Sequence, residues 1–500
     1  MKKSSSMSKR THSYTNNIQL FVLILTLLLV FIMLARSPLD SDFWWHLQAG
    51  KVTYESKSPL TQDVFSLTKF GQNWVNHSWL SELLLYILFF YGGFPAVTVL
   101  VGLVATGTIF LIYCKIGKLD LVDAFLLIFA AIVIAPLISP RPQIFSLLFF
   151  ALVNLLFSKK LSFKKQLIIF GVIYLAWSNL HAGFSIGILL MLSIALGKCV
   201  DAVLEGNWKE NRKTIFEFLF IILMISFVVM INPNGLNIWK VQFNTVNISV
   251  LQNLIPEWAS PDFHDLSQIP FLLLVLLLLF LLGVSEKRLT FSEIIPLLLF
   301  GSMALLSRRN IGPFTILALP IISKKMTELI DTVKNKNDAF LERVVKPDRQ
   351  KTQQTMLNMI INLSLVSFLL IAAIVKVYYV SHPVIMDNNI KMMFPKDALK
   401  VLENEPKAAK VFNEYAWGGF LEWSEPNNYY FVDGRTDLFG DEIINEWLEI
   451  IESEENSFNL LDKWKIDYVL VQPDRPITSE LEKNGWQQIY VDELAVVYKR

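Results

Sequence analysis

Long apolar runs separated by short polar connections fill the first three quarters of the chain. A bilayer-spanning helix needs about 20 predominantly apolar residues, so these runs predict membrane helices, and the shorter runs have soft boundaries. There are eleven of them, at residues 18–35, 94–113, 121–137, 143–157, 166–178, 182–198, 214–231, 269–284, 291–306, 311–322 and 356–380. The pattern therefore predicts an α-helical polytopic membrane protein with about 11 transmembrane helices.

Basic residues alternate between rich and poor connections along this region. If residues 1–17 form a basic cytoplasmic N-terminus, the inner connections hold 24 Lys and Arg residues and the outer connections hold 8. Cytoplasmic loops carry the excess of Lys and Arg in membrane proteins. This asymmetry predicts a first outer loop at residues 36–78, an inner segment at 323–354 and a C-terminal region on the outer side.

Residues 79–91 are apolar but too short to span a bilayer, and they end at Gly92-Gly93. They predict a helix that lies along the outer membrane interface, with Ser78 as its N-cap.

Charged residues return at residues 383–500, where apolar runs shrink to strand length. Alternating short strands and helices predict a small C-terminal extracytoplasmic α/β domain after the transmembrane domain at 18–380. The predicted strands lie at 410–412, 429–432, 467–471 and 495–498, and the predicted helices at 441–451 and 479–484.

The composition agrees with a multi-pass protein of the plasma membrane. The chain is 53% hydrophobic and 18% charged, whereas soluble domains carry about 25% charged residues. Its net charge of +1 gives no basic field that would attract nucleic acid. Its two cysteines, Cys114 and Cys199, exclude a disulfide framework and a Cys-rich metal site.

Polar residues concentrate at the outer ends of the predicted spans, while the inner connections are Lys-rich. Polar groups at a membrane face cost free energy unless they meet a partner, a ligand or water. The candidates are Asp40, Asp42, Trp45, His46, His77, Glu82, Arg141, His181, Glu257, Arg308 and Arg309. Their shared side predicts one cavity that opens outward.

The first outer loop offers acid–base chemistry. If a helix begins near Asp40, Asp42 and His46 share a helical face at i, i+4, which suits a general base or a divalent cation. Trp45 could stack on a sugar ring. Asp40 also suits a helix N-cap, and Trp44 and Trp45 suit a plain interface anchor, so both interpretations stay open.

The basic residues and the C-terminal turn are ambiguous in the same way. Arg141, Arg308 and Arg309 match the geometry of a phosphate, or they extend to lipid headgroups. His181 is a candidate ligand or a helix cap. Asp433 and Arg435 follow a predicted strand, where they either face a ligand or form a turn. No dinucleotide fingerprint, P-loop, zinc-protease or nucleophile-elbow motif is present.

Several motifs across most of the chain resemble one family. They are Asp40-x-Asp42-x-Trp44-Trp45-His46-Leu47-x-x-Gly50, Asp63-x-Phe65-Ser66, Trp74-x-x-His77-x-Trp79-Leu80-x-Glu82, Arg141-Pro142-Gln143, Asn179-Leu180-His181, Asn232-Pro233-x-Gly235, Glu257-Trp258, and the stretch from Trp417-Gly418-Gly419 to Asp433-Gly434-Arg435. The chain resembles the GT-C superfamily of polytopic membrane glycosyltransferases, within it a mannosyltransferase-like group of prokaryotic membrane proteins. Ala182 stands where that pattern has Gly.

The resemblance implies transfer of a sugar from a polyprenyl-phosphate-linked donor to an extracytoplasmic glycan, lipid or protein, with inversion at the anomeric carbon. Asp42 or Asp40 would deprotonate the acceptor, and the donor phosphate would lie near Arg308 or Arg141. No cofactor is required, and a divalent cation held by Asp40, Asp42 and His77 is an open alternative.

Membrane lipid and other proteins of cell-envelope synthesis are the implied partners. Two other functions stay open, a non-catalytic assembly or scaffold protein of cell-envelope glycan synthesis and a transporter of lipid-linked glycans. A transporter would place charged residues deep in its spans, whereas the spans here are almost wholly apolar at mid-depth.

Overall fold

The computed structural model describes residues 2–241, 255–336, 356–403 and 405–500, and it is mostly helical. Each of the eleven predicted runs lies on a helix. The helices of this region are α1 (Lys2–Leu34), α2 (Phe43–Ser56), α3 (Trp79–Ile116), α4 (Leu121–Ile134), α5 (Gln143–Leu156), α6 (Phe163–Leu180), α7 (Phe184–Leu204), α8 (Trp208–Val228), α9 (Ile269–Val284), α10 (Phe291–Leu306), α11 (Ile311–Lys336) and α12 (Met356–Val380).

Four helices in the described ranges are long and apolar enough to cross a membrane. They are Trp79–Ile116, Phe184–Leu204, Leu266–Val284 and Met356–Val380, and several shorter helices are also apolar. Only Ala373 and Val380 are buried along α12, so most of its apolar side chains face outward, as lipid contact requires. The number of eleven spans and the sidedness of both termini stay predictions.

Helix α3 joins the segment predicted at the interface to the span predicted at 94–113. Its backbone leaves helical geometry at Gly93, with φ 59° and ψ −156°. Only glycine adopts this conformation readily, so the two helical parts meet at a break. Ser78 occupies the N-cap as predicted but makes no capping bond. Its hydroxyl lies 2.8 Å from His77 Nδ1 instead.

The helix after the first span begins at Phe43, with Asp42 at its N-cap position. The prediction that this helix starts near Asp40 and carries Asp42 on its face is therefore wrong. The Asp40 carboxylate accepts the backbone N–H of Asp42 at 2.9 Å. This bond fixes the turn before the helix.

A five-stranded mixed sheet forms the C-terminal domain, in the order β2-β1-β3-β5-β4. Strand β1 pairs in parallel with β2 and β3, and β5 pairs antiparallel with β3 and β4. The strands are β1 (Lys410–Asn413), β2 (Tyr429–Tyr430), β3 (Tyr468–Val471), β4 (Gln487–Val491) and β5 (Val496–Lys499). The helices are α13 (Pro383–Met393), α14 (Lys396–Leu402), α15 (Gly418–Ser424), α16 (Thr436–Ile451), α17 (Ser457–Trp464) and α18 (Pro476–Lys483).

The first outer loop adds to the edge of this sheet. Ser66 forms a parallel bridge with Tyr430, and the N–H of Leu67 donates to the carbonyl of Tyr430 at 2.6 Å. The hydroxyl of Thr68 donates to the carbonyl of Phe431 at 2.9 Å. Pairing an exposed strand edge satisfies its backbone groups, and it holds the C-terminal domain against the end of the helix bundle that carries Asp42.

Candidate functional site

Arg141 stands at the centre of three carboxylates from distant parts of the chain. Its Nε lies 3.2 Å from Asp40 Oδ2, its Nη1 lies 2.9 Å from Asp42 Oδ2, and its Nη2 contacts Glu257 Oε1. The turn before α5 presents Arg141, and Ser139 Oγ accepts from its Nε at 2.9 Å. We call Arg141, Asp40, Asp42 and Glu257 the carboxylate cluster.

The electrostatics of the carboxylate cluster follow from its single cation. The pKa of Asp42 is raised to about 6, chiefly by burial, with the charges of Asp40 and Glu257 adding to the rise and Arg141 opposing it. Burial alone would lower the pKa of Arg141, but the three carboxylates raise it above its ordinary value. Arg141 therefore stays charged, while Asp42 exchanges a proton near neutral pH.

The two aspartates have different roles in this geometry. Asp40 uses one oxygen for the N–H of Asp42 and the other for Arg141. Asp42 uses only Oδ2, for Arg141, and its side chain keeps 22% exposure. Within the part of the chain that the structure describes, Asp42 Oδ1 has no hydrogen-bond donor. Of the two aspartates, Asp42 is the one with an oxygen that accepts no hydrogen bond from a described residue.

Glycines of the C-terminal domain approach Asp42 and Trp45 very closely. A Cβ on Gly434 would collide with Asp42 Oδ1 and would lie 2.9 Å from Trp45 Nε1, and a Cβ on Gly419 would lie 2.9 Å from the backbone N of Trp45. Side chains at these positions would push the domain off the site. The sequence motif around Gly418-Gly419 therefore serves packing, which the residue pattern alone did not indicate.

Trp45 carries a donor without an acceptor. Its Nε1 is buried and makes no hydrogen bond to any described residue, although its side chain packs against Trp74 at 6.1 Å between ring centroids. A buried unsatisfied N–H costs free energy. The cost disappears when a ligand oxygen accepts from it.

His46 is directed away from Asp42. Its Nδ1 lies 3.0 Å from Glu82 Oε1, and Asn76 Nδ2 donates to Glu82 Oε2 at 2.6 Å. All three side chains are buried. Burial lowers the pKa of His46 well below its ordinary value, and nearby cationic groups lower it further. His46 and Glu82 thus form a buried polar contact next to the site. The predicted shared helical face of Asp42 and His46 does not bring their side chains together.

Two further imidazoles lie edge to face, with 5.7 Å between the ring centroids of His77 and His181. Gly183 N–H donates to His181 Nδ1 at 3.0 Å, and Ser146 Oγ lies 2.7 Å from the same nitrogen. Because Nδ1 accepts, the neutral ring carries its proton on Nε2. Burial lowers the pKa of both histidines, so both are neutral donors at neutral pH.

Arg309 lies beside the carboxylate cluster without pairing with it. Its guanidinium carbon is 4.5 Å from the ring centroid of Trp258, and its backbone N–H donates to the carbonyl of Glu257 at 3.1 Å. Among the described residues no carboxylate lies within ion-pair distance of this side chain. Arg308 turns the other way, and its Nε donates to the carbonyl of Ser260 at 3.3 Å.

Arg435 and Asp433 are enclosed in the protein. Arg435 Nη1 lies 2.6 Å from Asp63 Oδ1 and its Nη2 lies 2.5 Å from Asp433 Oδ2, with Glu422 Oε1 at 3.7 Å from Nη2. We call these four residues the Arg435 cluster. All are at most 2% exposed, and burial raises the pKa of Glu422 well above its usual range. The sequence proposed Asp433 and Arg435 for substrate binding, but their polar atoms are used inside this contact.

The three residues suggested for a cation are not arranged together. Asp40 and Asp42 both contact Arg141, whereas His77 Nε2 lies 3.9 Å from Asp437 Oδ2. Within the described ranges, no group of three or more His, Cys, Asp or Glu side chains forms a metal-binding arrangement. Ser146 also belongs to the site, beside His181, and the sequence pattern did not single it out.

Comparison with known proteins addresses the fold. The chain is similar to the archaeal oligosaccharyltransferase AglB from Archaeoglobus fulgidus, in a structure with an inhibitory peptide and a dolichol-phosphate, at a TM-score of 0.58 and 13% identity over 92% of this chain and 70% of that one. It is also similar to ArnT from Cupriavidus metallidurans bound to undecaprenyl phosphate, at a TM-score of 0.48 and 10% identity over 97% and 98% of the two chains.

No protein-family model and no curated protein sequence matches the chain. AglB and ArnT are both membrane glycosyltransferases of the GT-C superfamily. At this level of identity the likeness establishes architecture. The resemblance predicted from the motifs is confirmed at the level of the fold, which the chain shares with this oligosaccharyltransferase.

Proposed function

We propose that this protein is a membrane glycosyltransferase that moves a sugar from a polyprenyl-phosphate-linked donor to an acceptor on the outer side of the membrane. The observation that carries the proposal is Asp42, whose carboxylate has a raised pKa, one oxygen held by Arg141 and the other without a hydrogen-bond donor among the residues that the structure describes. A carboxylate of this kind at one end of a GT-C bundle suits a general base.

The reaction assigned to Asp42 is a single displacement. The acceptor oxygen forms a bond to the anomeric carbon while its proton passes to Asp42 Oδ1. The bond between the anomeric carbon and the phosphate oxygen breaks, and its electron pair leaves with the lipid phosphate. The developing positive charge on the sugar is stabilised by the excess of carboxylate over cation in the carboxylate cluster. Attack opposite the leaving group inverts the anomeric carbon.

Asp40 has a positioning role in this scheme. Both of its oxygens are already bonded, to the N–H of Asp42 and to Arg141, and it fixes the backbone from which Asp42 projects. Glu257 likewise completes the carboxylates around Arg141. We assign the proton transfer to Asp42 on this difference, which the sequence left open between the two aspartates.

Arg309 is the cation available to the leaving phosphate. Arg141 is occupied by three carboxylates, whereas Arg309 contacts only the face of Trp258 among described side chains. His77 and His181, whose rings are 5.7 Å apart, supply neutral N–H groups that can donate to phosphate oxygens. The AglB structure holds a dolichol-phosphate, which supports a lipid phosphate as the leaving group in this proposal.

Trp45 supplies the remaining polar contact. Its unpartnered Nε1–H, close to the free oxygen of Asp42, can donate to a hydroxyl of the sugar or the acceptor. Such a bond would satisfy a buried donor and orient the hydroxyl that Asp42 deprotonates.

The test uses purified protein in nanodiscs with a panel of polyprenyl-phosphate hexoses and pentoses and a cell-envelope glycan extract as acceptor. Release of free polyprenyl phosphate reports turnover whichever sugar is used. We expect turnover by the wild type, loss in Asp42→Asn, and unchanged turnover in Asp262→Asn, a control at an exposed outer-loop aspartate. Donor binding without release of polyprenyl phosphate would favour the scaffold function instead.

A further inference from the structure

A cavity lies at the opposite end of the helix bundle from the carboxylate cluster. It has a volume of about 520 Å³ and opens between α3, α5, α7, α10 and α11. Lys115, Lys118, Lys198 and Lys324 line it, together with Glu293 and Glu328. We call it the basic cavity. It shares no lining residue with the candidate glycosyltransferase site.

Three of the lysines in the basic cavity have no acidic partner among the residues that the structure describes. Lys115 Nζ donates to the carbonyl of Asn154 at 2.7 Å, and Lys118 Nζ donates to Thr327 Oγ1 at 2.9 Å. Lys198 Nζ lies over the ring of Phe218, 5.4 Å from its centroid. In the described ranges no carboxylate lies within 4.0 Å of any of these three ammonium groups, since Glu293 pairs with Lys324.

The glutamates of the basic cavity do not neutralise it. Glu328 is shared between Lys325, at 3.1 Å, and Lys287, at 3.9 Å. Lys115 and Lys198 are half-buried on membrane helices, where a charge without a counter-ion is costly. Three cations that line one concave site, with no carboxylate beside them among the described residues, suit an anion with several acceptor oxygens.

We call the charged residues that line the basic cavity its rim. Away from this rim the wall of the cavity is apolar. Leu317 lies seven residues along α11 from Lys324, which is about 10 Å at 1.5 Å per residue. Ile194 lies one turn along α7 from Lys198, and Pro296 follows Glu293 on α10. A small inorganic anion would use only the rim. An amphiphile with an anionic head and acyl chains would contact both the rim and the wall.

We propose that the basic cavity binds a phosphate group, with Lys115, Lys118 and Lys198 as its partners, and the apolar wall favours a phospholipid as the source of that phosphate. The site is independent of the glycosyltransferase proposal, because it lies at the other end of the bundle. It would hold a lipid headgroup in the leaflet opposite the one that Asp42 faces.

The experiment is native mass spectrometry of the full-length protein after exchange into detergent with equal amounts of dioctanoyl phosphatidylglycerol and dioctanoyl phosphatidylcholine. We expect the wild type to retain phosphatidylglycerol preferentially at one site. Lys115→Gln/Lys198→Gln should lower its affinity for phosphatidylglycerol about tenfold or more, since two charge-assisted contacts are lost. The control Lys160→Gln removes an exposed charge from the same end of the bundle and should change nothing.

A second variant guards against misfolding of the first. Lys118 is exposed, so Lys118→Glu should insert and fold normally while it weakens lipid retention. A parallel titration with inorganic phosphate distinguishes the sources. Binding of inorganic phosphate without selectivity between the two lipids would overturn the phospholipid source. Equal retention of both lipids by the wild type together with no binding of inorganic phosphate would overturn the site itself.

Discussion

Arg435 Nη1 lies 2.6 Å from Asp63 Oδ1, although 372 residues separate the two in the chain. Asp63 in turn accepts the backbone N–H and the hydroxyl of Ser66, at 3.1 and 2.5 Å. One buried guanidinium thus ties the turn of the first outer loop to the C-terminal domain. The same domain places Gly434 against Asp42. The Arg435 cluster therefore positions the proposed base indirectly, by holding the segment that contains Gly434.

Replacing Arg435 should loosen this attachment. Arg435→Gln leaves Asp63 and Asp433 buried without their cation, and breaking a buried ion pair costs about 3–5 kcal/mol. We expect a lower melting temperature of the whole protein and faster proteolysis of the 57–78 loop. The control Lys463→Gln removes a half-exposed lysine that pairs with Glu446 and should cost about 1 kcal/mol or less. Equal melting and cleavage of both variants would argue against a joining role for Arg435.

The two aspartates of the carboxylate cluster should differ in their effect on turnover. Asp42→Asn keeps the size of the side chain but cannot accept a proton, and loss of a general base lowers the rate by about 10²–10⁴-fold. Asp40→Asn should lower the rate less, because it disturbs only the position of Asp42. Single-turnover rates with saturating donor measure both. If Asp40→Asn were the slower enzyme, the base would have to be reassigned.

The rate should rise with pH as Asp42 loses its proton. Because its pKa is raised to about 6, the base is protonated below that pH, and kcat/KM should fall about tenfold for each further pH unit. Glu257→Gln removes a like charge that raises this pKa, so the rise should move to lower pH. A profile of kcat/KM from pH 4.5 to 8 measures the shift. A rise that moved upward in Glu257→Gln would contradict this assignment.

Arg309 and Arg308 are neighbours with different surroundings, and they form a matched pair. Losing a charge-assisted contact to the donor phosphate costs about 1.5–3 kcal/mol, so Arg309→Gln should weaken donor binding roughly ten- to a hundredfold. Arg308→Gln should have a smaller effect, because its guanidinium turns toward the carbonyl of Ser260. Titration with undecaprenyl phosphate gives both affinities. A larger loss in Arg308→Gln would place the phosphate on the other side of the loop.

The membrane orientation can be tested with single cysteines after Cys114 and Cys199 are replaced by serine. Ser56, Asn456 and Lys160 are all exposed. From the asymmetry of Lys and Arg, an impermeant maleimide added to intact cells should label Ser56→Cys and Asn456→Cys but spare Lys160→Cys. Labelling of Lys160→Cys in intact cells, with the other two protected, would reverse the orientation.

Apolar length was sufficient to locate the helices that carry the eleven predicted runs, because burial of apolar runs in lipid or in a bundle dominates their free energy. The short helices Pro383–Met393, Lys396–Leu402 and Ser457–Trp464 were not predicted. Strand β4 was missed, since Gln487 and Gln488 give it a polar, exposed pattern that only its pairing with β5 organises. The start of α2 was placed too early, because an acidic residue suits both an N-cap and the turn before it.

The polar residues of the site could be selected from sequence, but their partners could not. Nothing near Asp63 or Arg435 in the chain indicates that the two meet, and the pairing of Arg141 with three carboxylates depends on loops brought together by the bundle. Local motifs offered a ligand-binding interpretation for Arg435 and Arg309 alike. The burial of Arg435, and the lack of an ion-pair partner for Arg309 among the described residues, are properties of the assembled fold.

The bridge between Ser66 and Tyr430 also fixes the order in which the protein can be completed during synthesis. Thr68 and Phe431, which bond beside this bridge, are 363 residues apart, so the first outer loop leaves the ribosome long before its partner strand exists. Until the chain has been synthesised through Gly434 and the C-terminal domain has folded, Asp42 lacks the packing of Gly434 against it. A chain without this domain in place therefore holds an unfinished site, and the proposed chemistry has to wait for the domain to fold.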